Sequence, residues 1–189
     1  SFDIIDLLLL ERDNDRYKEA LKSAKINRFN LITLPDYLNP RGLFFHKMIG
    51  DLSIYFETLC INYDLVLSPM LEGGHQDHDT VCAALIRSNS NNNTKVILYS
   101  TYRSIDLFPW LYTCGLSSKI SSDYILSVNM PNNWLSLLLK TIILSYKSQL
   151  KTWLLLSPAI LLSLLRGKLN KFILADNLDC NDLRQLIPT

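Results

Sequence analysis

The chain has 189 residues, enough for one domain with a sizeable core. Its 48% hydrophobic and 20% charged content is the mix of an ordinary globular protein, and a net charge of +1 gives no electrostatic case for nucleic acid or for an anionic membrane. Four cysteines, Cys60, Cys82, Cys114 and Cys180, lie far apart without paired spacing, which reads as reduced thiols in a reducing, cytoplasmic compartment.

In chain order, residues 2–10 form a short apolar run without a helical stripe, the pattern of a buried strand. The run starts almost at Ser1, with no basic leader and no small-residue cleavage pattern, so it is not a signal peptide; an upstream segment is expected. Asp13 or Asp15 can cap the helix that continues through "RYKEALKSAKI". "FNLITL" is a second strand, closed by Pro35-Asp36. Residues 40–62 read as a long amphipathic helix, on which His46 is structural. "DLVLSP" is a third strand. A helix runs from His78 to Arg87 and stops at the polar run 88–94. "KVILYSTY" is a fourth strand and "YILSV" a candidate fifth. Helices follow over residues 132–151 and 153–165. The uncharged stretch 152–165 holds 14 residues including Pro158, short for a membrane span, so it is expected to pack or to lie in an interface.

Strands alternating with helices at this rhythm predict βαβ units: an α/β fold, Rossmann-like, with three αβα layers and a mostly parallel sheet. One domain over residues 1–167 and a C-terminal tail over 168–189 are expected.

The chemistry concentrates in "LVLSPMLEGGHQDHD". In an open α/β sheet, ligands bind outside the carboxyl ends of the strands, and this stretch follows such an end. Gly73 and Gly74 allow a sharp turn, and His75 and His78 are three apart, on one face if the helix has begun. Neutral imidazole is a common zinc ligand, and a nearby carboxylate such as Asp77 orients it. The plainer reading is a helix cap by Asp77 or Asp79 with two exposed histidines. Glu72 either lines a pocket or solvates the turn. Arg103, after the fourth strand, either meets an anionic group on a substrate or forms a surface ion pair. The H-x-H-x-D-H pattern of metallo-β-lactamase-like hydrolases is not met, since Gly73 stands where its first histidine belongs.

Four stretches together resemble the LmbE-like/PIG-L family of zinc-dependent N-deacetylases. "LSPMLEGGHQDHD" is similar to its H-P-D-H motif after a strand, with Gln76 where proline is common. "RYKEALKSAKI" resembles its R-x-x-E helix, "LPD" its Pro-Asp after the following strand, and "KTIILSYKSQ" its late helix. The set is in the family's order and covers residues 16–149.

The resemblance implies that His78 ligates zinc, that His75 serves the oxyanion or the leaving amine, and that Asp77 supports the imidazole. It implies that Arg16 and Asp36 hold the sugar. The activity implied is removal of the acetyl group from an N-acetylated amino sugar or its glycoconjugate. The family's first motif, A-H-P-D-D-E, supplies the remaining zinc ligands and the general base, and it is absent from this sequence. Two readings follow: a chain that lacks an upstream strand and motif, or a degenerate relative serving as a sugar-binding or interaction module. A membrane-peripheral version is a third, because "WLLLSPAILLSLLRGK" suits an interface.

Overall fold

A computed structural model describes residues 4–10, 13–38, 45–71, 76–89, 94–105, 108–114, 124–129, 132–166 and 171–175. The chain is mixed α/β and divides into two compact units, residues 1–41 with 130–157, and residues 42–129 with 158–189.

In the first unit, β1 (Asp6–Leu9) pairs in parallel with β2 (Asn30–Thr33), joined by α1 (Asn14–Asn27). The Asp13 side chain accepts from the Asp15 amide at 3.4 Å, so Asp13 is the N-cap and Asp15 lies in the first turn, where a carboxylate faces the positive end of the helix. At the other end Arg28 takes φ 60°, ψ 42°, and the Phe29 amide returns to the Ala24 carbonyl at 2.8 Å. That is a left-handed helix stop made without glycine. Ala20, Ser23 and Ala24 face inward, and α1 packs on α4 (Trp134–Ser145). Thr141 of α4 meets the Asn27 side chain at 3.3 Å. Leu34, before the short 3-10 turn Asp36–Leu38, and Leu38 within it are fully buried.

In the second unit a 3-10 turn, Phe45–Met48, leads into α2 (Ile49–Cys60), so the α-helix expected from residue 40 begins nine residues later. β3 (Leu65–Pro69) pairs in parallel with β4 (Lys95–Tyr99) through α3 (Gln76–Asn89), and α2 packs on α3. The strand order is β3-β4-β8-β7, where β7 is Ile125–Ser127 and β8 is Lys171–Leu174. β8 runs antiparallel to both neighbours, with Ile173 fully buried between Leu98 and Ile125. A separate hairpin joins β5 (Tyr102–Ile105) to β6 (Phe108–Cys114).

Three expectations are corrected here. Two of the five strand pairings among the described residues are parallel, so parallel pairing does not predominate. Residues 171–174, expected in a tail, are an interior strand, because "KFIL" finds ladder partners on both sides. "KVILYSTY" is two strands rather than one, since β4 ends at Tyr99 and Tyr102 starts the hairpin.

The last helix, α5 (Leu150–Leu165), follows a 3-10 turn, Lys147–Gln149, and contains Pro158. A proline there removes the amide that would bond the Leu154 carbonyl. The Ser157 hydroxyl donates to that carbonyl at 2.8 Å instead, which helps the helix to continue.

Candidate functional site at the carboxyl ends of parallel strands

In the second unit, the parallel pairing of β3 and β4 sets two chain exits side by side. The Met70 amide donates to the Tyr99 carbonyl at 2.9 Å, holding both exits together. β3 ends at Pro69, and α3 begins at Gln76, so Gln76, Asp77 and His78 form its first turn. Asp77 and Asp79 are half-buried at the helix's positive end. The Thr80 hydroxyl donates to the Gln76 carbonyl at 2.8 Å and tightens that turn.

His78 is half-buried, and its Nδ1 lies 3.3 Å from Thr101 Oγ1, two residues past the end of β4. The imidazole is thus held between the exits of two adjacent parallel strands. When Nδ1–H donates to the hydroxyl, Nε2 is the ring nitrogen that carries the lone pair. Gln76 does not point away from the chemistry-bearing side chains. Its side-chain amide nitrogen lies 2.9 Å from Nδ1 of His46, within hydrogen-bond distance. Sequence reasoning set His46 aside as structural; it stands directly beside the H-x-D-H motif. Its position 30 residues upstream carries no spacing signal, so only the packing of its 3-10 turn against α3 could reveal it.

The first unit carries the other candidates in the same topological position. Arg16 is half-buried in the first turn of α1, just beyond the carboxyl end of β1, and Asp36 opens the 3-10 turn just beyond β2. Glu19, the acidic member of R-x-x-E, accepts from the Ser148 amide and the Ser148 hydroxyl, both at 2.7 Å. These residues are 129 positions apart and belong to two of the four stretches that carried the family resemblance. The carboxylate satisfies donors at the entry to α5 and clamps one motif to the other. Arg103 lies in β5. Glu72 and His75 lie outside the described residues.

Zinc was expected at His78. Among the described residues no group of three or more His, Cys, Asp or Glu is placed to hold a metal ion. His78 with its hydroxyl partner is one ligand position, whereas a catalytic zinc needs three protein ligands. The described residues do not by themselves form the set. Elsewhere in this unit, Cys60 and Cys82 are buried outside any disulfide, and burial pushes the Cys60 thiol up to about 11, away from nucleophilic use.

No protein-family model, characterised protein or solved structure matches this chain.

Proposed function

We propose that this chain belongs to a zinc-dependent N-deacetylase acting on an N-acetylated amino sugar or its glycoconjugate, built on a Rossmann-like three-layer αβα framework. The observation that carries the reading is the placement of His78 in the first turn of α3, between the carboxyl ends of parallel β3 and β4, with Nδ1 on Thr101. The two parallel βαβ units support the framework. The bonds from Ser148 to Glu19 support the motif assignment, since they join two stretches chosen for the same resemblance.

In this reading His78 is a metal ligand, and the remaining ligands come from residues other than those described. Zinc held there would supply Lewis acidity toward the amide carbonyl. Asp77 and Thr101 fix the imidazole, His75 serves the departing amine, and Arg16, Asp36, Glu72 and Arg103 hold the sugar or its attached group. The alternative reading is a non-catalytic sugar-binding or interaction module.

The deciding experiment measures zinc content and amine release from an N-acetylglucosaminide. The chain as written is expected to hold little zinc and to show no turnover. The same chain preceded by a segment bearing A-H-P-D-D-E is expected to gain both. In that longer protein, His78→Ala should abolish metal binding, and His75→Ala should keep metal and lose rate by roughly 10²–10⁴-fold. A longer protein that still binds no metal, or a sugar bound without turnover, establishes the module reading instead.

A further inference from the structure

The net charge of +1 conceals a strong segregation. Between Asp123 and Asp176 there is no acidic residue, while Lys140, Lys147, Lys151, Arg166, Lys168 and Lys171 are all basic. In the middle of that segment stands α5. Together with its preceding 3-10 turn it forms the span Lys147–Leu165, 19 residues long and apolar enough to cross a membrane by length and composition, yet only 17% of it is buried. A helix apolar all round belongs in a protein core or in lipid, and among the described residues little of this one is covered by protein.

The face left open is specific. Leu150, Leu154, Leu155, Leu161, Leu162 and Leu165 are exposed, with Leu154 at 66% and Leu165 at 74%. At about 100° per residue they share an arc of about 140°. Leu156, Ala159 and Ser163 lie on the other side and are buried. Lys147 and Lys151 bracket one end of the leucine face and Arg166 the other. Long basic side chains in those positions lay their stems along apolar surface and carry the charge outward. The 16 residues of α5 extend about 24 Å, short of a hydrocarbon core of ~30 Å. With one side already covered by protein, the helix is suited to lie along a bilayer rather than through it.

We infer that α5 docks the protein in-plane on an anionic membrane surface, its exposed leucines in the acyl boundary and Lys147, Lys151 and Arg166 at the headgroups. Charge favours lipid over a second copy of this chain: two copies joined through this face would bring Lys147, Lys151 and Arg166 of each together, with Glu19, engaged by Ser148, the one carboxylate shown bonded at the helix entry. The same charge pattern matches the anionic lipids of a cytoplasmic leaflet. This inference stands apart from the deacetylase reading, because it uses none of that site's residues.

The test is co-sedimentation of the whole chain with phosphatidylcholine vesicles made with and without phosphatidylserine. Binding to the anionic vesicles is expected, weakening as salt rises. The double variant Leu154→Glu/Leu161→Glu should lose on the order of 100-fold in affinity, and Lys151→Glu roughly 10-fold on anionic vesicles only. Both substitutions are at exposed positions, and circular dichroism checks that the helix content is kept. Ile54→Glu, at an exposed apolar position on α2, is the control and should bind as the unaltered chain does. Four results would overturn the inference: no binding to either vesicle, equal binding to both, a dimer broken by the leucine variant, or a chain that resists alkaline extraction as a spanning helix does.

Discussion

Replacing Thr101 by valine tests the site at its most informative contact. Valine keeps the shape of threonine and removes the hydroxyl that meets His78 Nδ1. The separation, 3.3 Å, is long for a nitrogen–oxygen hydrogen bond, so its net worth to folding is at most about 1 kcal/mol. Its value to a ligand site is larger, because it selects which ring nitrogen carries the proton. Loss of such an orienting partner costs about 10–100-fold in metal affinity, equivalent to about 1.4–2.7 kcal/mol. The expected pattern is therefore a small fall in stability by urea denaturation beside a larger fall in zinc affinity in the metal-competent longer protein. Nitrogen NMR of the imidazole gives a reading that needs no metal: His78 should carry its proton on Nδ1 in the unaltered chain and become a mixture in Thr101→Val. Thr101→Ser keeps a hydroxyl and should restore the pattern. A proton found on Nε2 in the unaltered chain would mean that the hydroxyl donates to Nδ1 and that the ring offers no lone pair to a ligand, which refutes the assignment of His78.

Glu19→Ala removes both acceptors of Ser148, and a loss of about 1–2 kcal/mol in urea denaturation is expected, because two donors at the entry to α5 are released in a solvent-exposed place. No loss would show that the clamp between the two motifs is incidental. Cys60 gives a pH signature. Its folded value near 11 lies above its ordinary 9.0, so its contribution is complete below pH 9 and is lost as pH rises toward 11, when the unfolded chain gains from ionising first. That contribution should disappear across the window, and Cys60→Ala should remove that part of the slope in denaturation measured from pH 8 to pH 11.

Local chemistry was legible where a pattern is short-range. The cap at Asp13, the helix it opens, the strand ended by Pro69 and the helix beginning within H-Q-D-H all rest on neighbouring residues, so period and capping sufficed. The placement of His78 at a strand's carboxyl end follows from the same logic, because a strand, a tight connection and a helix leave little choice. The antiparallel strand β8 was not legible. "KFIL" has four residues, too few for a period, and its partners lie 70 or more positions upstream in β4 and nearly 50 upstream in β7. The hairpin β5–β6 was hidden by continuity with β4, since "KVILYSTY" reads as one apolar run until the ladder partners divide it.

By itself the sequence determined an α/β chain, the identity of its helices and the residues able to do chemistry, because each depends on side-chain type and spacing along a few turns. Only the tertiary structure decided which of these meet. It set His46 beside Gln76, gave His78 a hydroxyl partner from after β4, and tied Glu19 to Ser148. It also decided that the leucines of α5 face outward, since which side of an all-apolar helix is covered depends on what packs against it and not on the helix.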